Sequence, residues 1–387
     1  MLQEKEVNIE MKDNHIVFTT IYTPHVLKDL LENLKQYNHL ESTVCWVVGD
    51  NKTPEACQDL CQEISDSGLE TIFLDIPTQD EWGEKYSDFY KLIPYNNESR
   101  RNIGYLHALE QGCTRLISID DDNFPTLDDF IGGHQVTGKK WKGSLIHENS
   151  GYHNVCEYLE IHPSRDIYPR GFPFGLRGVK NENMNSDAPL NTIIGINEGL
   201  WLKEPDIDAT TWLNGRVEAK KYTGPDYFAL NQNTWSPINT QNTSVIRDLI
   251  PAYLCIPMAH PVPGGKIERY GDIWGGYFTQ AVMRGTQYHV AFGRPIVEHR
   301  RNPHKYVDDL RHEFWGMVLT DWLLDNLRNN FYPESTEISE RVKELSAFIM
   351  EQLYNSIPDW CPVEVKKFLE RTSENLYVWA VACQTIV

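Results

Sequence analysis

The run Leu116-Ile-Ser-Ile119 stops abruptly at Asp120, Asp121 and Asp122 and is followed by Asn123-Phe124-Pro125. A short apolar run rich in β-branched residues and bounded by turn formers suits a strand in a parallel sheet covered on both faces. In open α/β sheets, ligands collect at the carboxyl ends of such strands, where the three aspartates fall. Adjacent carboxylates repel one another, so a packed cluster calls for a cation, and hard oxygen ligands favour Mg²⁺ or Mn²⁺. Substrate phosphates commonly complete such a coordination shell. The competing reading is a solvated acidic turn with Asp as an N-cap. The strand in front and Asn-Phe-Pro behind weigh against it.

Upstream, His15–Ile21 reads as a first strand and Pro24 opens a helical stretch to about Gln36. Thr43–Gly49 reads as a second strand, residues 54–67 as a helix and Glu70–Leu74 as a third strand. This βαβαβ order implies a parallel, right-handed, doubly wound half. Residues 76–99 read as a loop with short helical turns, and Ser99 begins a helix leading into the aspartate strand. Arg100 and Arg101 stand at that helix start, where backbone N–H groups and the macrodipole favour anions. Solvated arginines are the commoner case, but this placement points to contact with a diphosphate.

From 131 to 300 the chain is rich in Gly, Pro, Asn and Trp, with short strands expected at 192–196, 252–256 and 288–291. After Pro303, residues 305–330, 336–356 and 363–384 carry apolar residues at helical spacing. The expected division is therefore a catalytic domain over 1–302, with a nucleotide-binding half to about 130, and a helical extension over 303–387.

Thirty-six basic against 55 acidic residues give a formal net charge of −19, which disfavours non-specific binding to nucleic acid or anionic membrane. Met1–Asn14 is charged and polar, and no run of about 18 apolar residues could span a bilayer. A cytoplasmic location is the expectation. The eight cysteines are scattered among apolar residues and read as reduced structural thiols. Cys57 and Cys61 could present two metal ligands on a helix, but no second Cys or His pair stands nearby. Gly-x-Gly-x-x-Gly and Walker A patterns are missing, which argues against a dinucleotide dehydrogenase or a P-loop NTPase.

A βαβαβ half carrying Asp50, Arg100, Arg101 and Asp120–Asp122 at strand ends and a helix start resembles the GT-A glycosyltransferases, in which an Asp-x-Asp motif holds a divalent ion against a sugar nucleotide. Four further stretches resemble the reversibly glycosylated polypeptide family, which includes the plant UDP-arabinopyranose mutases. They are Ile119-Asp-Asp-Asp-Asn-Phe124, Arg170-Gly-Phe-Pro-Phe-Gly-Leu-Arg177, Gly199-Leu-Trp-Leu-Lys-Glu-Pro-Asp-Ile-Asp-Ala209 and Arg269-Tyr-Gly-Asp-Ile-Trp-Gly275. The chain departs from the family at Gly271, where the pattern has Asp, and at Asn197-Glu198, where it has Ser-His.

The resemblance implies a GT-A-like α/β domain using a UDP-sugar with Mn²⁺ or Mg²⁺. Arg170 occupies the position that accepts a sugar covalently, and a guanidinium needs carboxylates to orient it and take a proton. Asp272, Asp206 and Asp208 are the candidates, the last two also for sugar binding. Asp120, Asp122 and His299 are the expected metal ligands. Thr20, Ile21, Asp50, Arg100, Arg101, Asp120 and Asp121 are the expected nucleotide contacts. Trp201, Trp212 and Trp274 are more often core residues, although Trp274 beside Asp272 could stack on a pyranose. A transferase with an unspecified acceptor, a pyranose/furanose mutase and a non-catalytic sugar-nucleotide-binding partner subunit are the three readings. A homo- or hetero-oligomer is compatible with each.

Overall fold

The computed structural model describes residues 12–180, 184–302 and 305–386. The charged beginning of the chain, residues 1–11, and Pro303, which marks the start of the extension in sequence, lie outside the described residues. Strands β1 (Asn14–Thr19), β2 (Thr43–Val48), β3 (Glu70–Leu74) and β4 (Arg115–Ile119) are parallel and lie in the order β3-β2-β1-β4. Every residue of β2 is buried, and its apolar sequence is what two covered faces require. Helices Val26–Gln36 and Ala56–Asp66 bury Val26, Leu27, Leu30 and Leu34, and Cys57, Leu60, Cys61 and Ile64. That spacing makes one apolar stripe per helix. Cys57 and Cys61 are therefore core residues. Helix Arg101–Glu110 packs so closely on β1 that a Cβ at Gly104 would lie 2.5 Å from Val17 Cγ1. The close approach carries the helix N-terminus to the carboxyl edge of the sheet.

Beyond β4 the same thirteen-stranded sheet continues through Asn242–Ile246, Ile193–Lys203, Tyr288–His299 and shorter outer strands. Asn242–Ile246 is antiparallel to both its neighbours, whereas Tyr288–His299 runs parallel to Ile193–Lys203. The sheet thus crosses the expected division near residue 130 without a break. The strands expected at 192–196 and 288–291 are the beginnings of strands of 11 and 12 residues.

The strand expected at 252–256 is not one. It follows a 3-10 turn, Arg247–Ala252, and lies beneath helix Gly271–Met283, bonded to Asn102 through both backbone groups of Cys255. The strand is the polar Asn-Thr-Ser-Val-Ile of 242–246, every residue of which is buried. Its side chains are satisfied locally: Asn242 Nδ2 donates to Gly199 O at 2.9 Å and Thr243 Oγ1 to Asn239 O at 2.8 Å. Burial of paired polar groups makes a central strand that hydropathy does not reveal.

The extension comprises helices Tyr306–Asn330, Ile338–Phe348 and Val363–Ile386. It is docked by large side chains: Trp379 Nε1 donates to Pro251 O at 2.9 Å, and Phe368 packs against Trp274. Among the described residues no helix is long and apolar enough to cross a membrane.

Candidate active site

A cleft of about 260 Å³ opens at the carboxyl ends of β1, β2 and β4, lined by Thr20, Ile21, Asp50, Asn97, Arg101 and Asp120–Asp122 among others. Thr20 Oγ1 donates to Asp121 Oδ2 at 2.5 Å, joining the ends of β1 and β4. Asp50 accepts from Asn51 N at 2.7 Å and Asn97 N at 3.2 Å, which fixes its carboxylate on the wall. Tyr22, half exposed at the rim, and Asn97 were not legible as cleft residues in the sequence.

The two adjacent arginines part company. Arg101 donates to Asp120 Oδ1 at 2.6 Å, Thr240 O at 3.0 Å and Ser118 Oγ at 3.2 Å. Burial works against its charge, but Asp120 outweighs it and holds the guanidinium protonated. Arg100 points away from the cleft. It is 1% exposed, donates to Gln79 Oε1 and Tyr90 OH, and stacks on Tyr95 at 4.4 Å. The diphosphate contact expected of Arg100 is thus corrected, because successive residues at a helix start face about 100° apart.

What lies behind Asp122 is set by register. His299 ends its long strand paired with Asn123 and with Lys203. This brings His299 Nε2 to 3.5 Å from Asp122 Oδ1, while Nδ1 lies 2.7 Å from Glu204 O. Nδ1–H donates to this carbonyl, which turns Nε2 towards the carboxylate, the arrangement that orients a metal-ligating imidazole. Burial disfavours His299 charge, yet the hydrogen bond and charge of Asp122 raise its pKa. Asp122 is lowered in spite of burial, chiefly by His299, whereas burial and its acidic neighbours push Asp121 up to about 7.

Asp122 and His299 fit a hard divalent ion as two protein ligands, with phosphate and water completing the shell. Asp120, expected as a third ligand, is instead paired with Arg101. Among the described residues no group of three or more His, Cys, Asp or Glu stands ready to hold a metal.

The Arg170 segment lies beside this wall. Arg170 is 6% exposed, and each of its five N–H groups has an acceptor. Nε and Nη2 each donate to Asp206 at 3.0 Å; Nη1 and Nη2 donate to Asp272 at 3.1 and 2.8 Å; Nη1 also donates to the carbonyl of Arg269. Burial opposes the cation, but the two aspartates raise its pKa. Asp206 is also held by Asn239 Nδ2 at 3.1 Å, and burial's upward push on it is overcome by Arg170. The two walls are electrostatically continuous, since His299 and Asp206 influence each other's protonation and Asp272 raises Asp120.

Asp272 sits in the first turn of helix Gly271–Met283. A Cβ at Gly271 would lie 2.4 Å from Ile256 O. The helix backbone is packed directly on the 252–256 segment, so this chain has no room for an aspartate at 271.

Two expected sugar contacts are corrected. Asp208 is wholly buried, caps helix Ala209–Leu213 by accepting from Thr211 N at 3.0 Å, and pairs with Arg177 Nη2 at 2.6 Å. Trp274 is fully buried and donates to Thr320 Oγ1 at 3.0 Å, so its ring faces the extension. Glu198 was not assigned a role from sequence. It is 1% exposed, accepts from Asn239 N at 3.2 Å, and has its pKa raised by burial and then by Asp206 and Asp272. Its only signal in sequence was the departure from Ser-His.

The parallel half-sheet with acids at its strand ends, continued by a mixed set of strands, is an α/β fold. The pattern of the reversibly glycosylated polypeptide family matches residues 70–363. The chain belongs to that family. It is 25% identical over 268 residues to UDP-arabinopyranose mutase 2 of Arabidopsis thaliana, covering 69% of each chain. It is likewise 25% identical over 269 residues to probable UDP-arabinopyranose mutase 1 of Solanum tuberosum, covering 69% of this chain and 68% of that one. Among solved structures, glucosyl-3-phosphoglycerate synthase from Mycobacterium tuberculosis with Mn²⁺ and UDP-glucose aligns at 10% identity with a TM-score of 0.37, covering 80% of this chain and 78% of that one.

Proposed function

We propose that this enzyme breaks the bond between a sugar's anomeric carbon and UDP, and that Arg170 takes up the sugar reversibly. The observation that carries this reading is the guanidinium held on both sides by Asp206 and Asp272 beside the Asp122–His299 wall. In the capture step a C–N bond forms as the bond from the anomeric carbon to the β-phosphate oxygen breaks. The guanidinium proton passes to Asp206 or Asp272, and UDP leaves with the bonding pair. The clamp fixes the attacking nitrogen, yet it also stabilises the cation that must lose a proton, so proton transfer to a carboxylate is inseparable from attack. Asp122 and His299 would hold a divalent ion, which when bound offers Lewis-acid stabilisation to the leaving diphosphate. Asp50 with Thr20 and Ile21 would receive the base, and Arg101 would neutralise phosphate charge through the cleft.

Two fates of the sugar follow. Return to UDP with altered ring size is the outcome that the names of the relatives suggest; transfer to an external acceptor is the other, favoured by the altered Asn197-Glu198 pair. A cytoplasmic setting belongs to the proposal and is supported by eight free cysteines, seven of them buried. Incubation with radiolabelled UDP-sugars and Mn²⁺ tests the reading. Label on the protein that excess unlabelled UDP chases off supports it, and a new sugar nucleotide identifies the mutase. UDP-sugar binding with neither label nor UDP release would instead indicate a non-catalytic partner subunit.

A further inference from the structure

The long helix Tyr306–Asn330 belongs to the extension, yet one of its faces follows the Arg269–Trp274 segment step by step. Glu313 Oε1 accepts from Arg269 Nε at 3.2 Å. Asp309, one turn earlier, lies 3.6 Å from Arg269 Nη1. A Cβ at Gly316 would lie 2.3 Å from the Tyr270 ring, and Thr320 Oγ1 receives the Trp274 indole N–H. Glu313 also reaches a second segment: its Oε2 accepts from Ala209 N at 2.8 Å.

Those two bonds tie together the segments that make the clamp. Ala209 lies three residues after Asp206, and Arg269 three residues before Asp272. The carbonyl of Arg269 is itself an acceptor for Arg170 Nη1. Arg269 also adopts φ 61°, in the left-handed region that a side chain with a Cβ rarely occupies. A residue in such a conformation persists only where its surroundings over-determine it. The surroundings here are Glu313 and Asp309. Both bonds use carboxylate oxygens of Glu313 as acceptors; burial pushes its pKa up, while Arg269 beside it pulls it back down.

We infer that Glu313 is a positioning residue for Arg170, holding the Asp206 and Asp272 segments at one spacing so that the guanidinium is presented in a fixed plane. The helical extension is then part of the active site. This rests on the sugar-capture reading for its consequence in turnover, but the geometry it concerns can be read without turnover.

The test compares Glu313→Leu, Glu313→Gln and, as a control on the same stripe, Thr320→Val. Two quantities are measured in the full chain: the rate of labelling by UDP-sugar, and the rate at which phenylglyoxal modifies Arg170, followed by peptide mass. A positioning role predicts that Glu313→Leu slows labelling about 100-fold, the scale of an ångström's misplacement. UDP affinity should stay within about threefold, while Arg170 modification accelerates about fivefold or more because the clamp loosens. Glu313→Gln, which keeps one acceptor and turns an amide towards the other donor, should lose about tenfold. Thr320→Val should leave both rates near those of the wild type. If Glu313→Leu does not fold, Glu313→Gln decides by the same two rates. Labelling and modification both within twofold of wild type in the folded variants would overturn the inference. A wild-type protein that takes no label sinks the sugar-capture reading instead, and the modification rates still decide the role of Glu313.

Discussion

The parallel half of the sheet and the mixed half build their parts of the site in opposite ways. In the parallel half each functional group stands at the end of its own strand or helix, and contacts join neighbouring ends of the sheet, as Thr20 does with Asp121 and Arg101 with Asp120. In the mixed half Arg170 meets Asp206 and Asp272, which lie 36 and 102 residues further along the chain. The pairing differs too. Asp122 makes one contact of 3.5 Å with an imidazole at the edge of a cleft, whereas Arg170 has no N–H left to offer. The first region leaves an open cleft, whereas the second holds one side chain in one plane, so in the proposed reaction a ligand must displace part of that pairing.

That contrast places the largest effect at Arg170→Lys. An ammonium keeps the charge but cannot serve Asp206 and Asp272 bidentately in one plane. Protein labelling by UDP-sugar should fall about 1,000-fold or more, while UDP affinity, set in the other half, stays within about threefold. Labelling that survives in this variant would remove Arg170 from the covalent role. Next in size is Asp122→Asn, which keeps shape but removes the charge facing His299. Calorimetric titration should show Mn²⁺-dependent UDP affinity weakened about 100-fold, with metal-free UDP affinity much less changed. Equal losses with and without metal would mean that Asp122 shapes the cleft and does not hold an ion.

The same contrast explains what could be read from sequence. β2 and β4 were legible because strands buried on two faces must be nearly continuous in apolar residues, and the aspartates then had an address at a strand end. Asn242–Ile246 was not, because its burial is compensated by hydrogen bonds that leave no trace in hydropathy. Arg170, Asp206 and Asp272 could be named only through the family's motifs, since nothing local joins them. Asp208 and Trp274 share those motifs for structural reasons, as a helix cap and an anchor, which motif matching does not separate from sugar contact. Glu313 had no sequence signal, for it lies on a helix whose pattern announces only packing.

The two halves should also part company in acid. In the parallel half burial lowers both His15 and His107 to about 4; His15 accepts from Trp46 Nε1 at 3.1 Å, and His107 is stacked between Trp46 and Trp82. A histidine lowered on folding leaves stability intact above the unfolded value near 6.5. As pH falls below that, the unfolded chain binds a proton the folded one refuses. Stability should therefore decline between about pH 6.5 and 4, by at most about 3 kcal/mol for each of the two histidines. His107→Phe keeps the stack and removes one such group, so chemical denaturation at pH 5 and 7.5 should differ less in the variant than in the wild type. An unchanged difference would place the acid sensitivity elsewhere, with His134 of the mixed half, lowered to about 3 by burial, as the first alternative.

The smallest effect on binding is expected at Arg100, and it discriminates most finely. Arg100 and Arg101 are neighbours of the same charge at one helix start, and proximity to the cleft alone would assign both to phosphate. Their side chains say otherwise: Arg101 lines the cleft and reaches Asp120, whereas Arg100 is spent on Gln79, Tyr90 and Tyr95 behind it. Arg100→Met should lower stability by about 1–3 kcal/mol, because Gln79 Oε1 is left buried without its donor. UDP affinity at low salt should change by less than about twofold, since a charge pointing away through protein adds little at the phosphates beside what Arg101 supplies. Arg101→Met should do the reverse, weakening UDP binding about tenfold or more and leaving Asp120 unpaired. Comparable losses of UDP affinity in the two variants would show that the whole helix start, and not Arg101 alone, forms the anion site, and would blur the boundary between a wall that binds and a wall that braces.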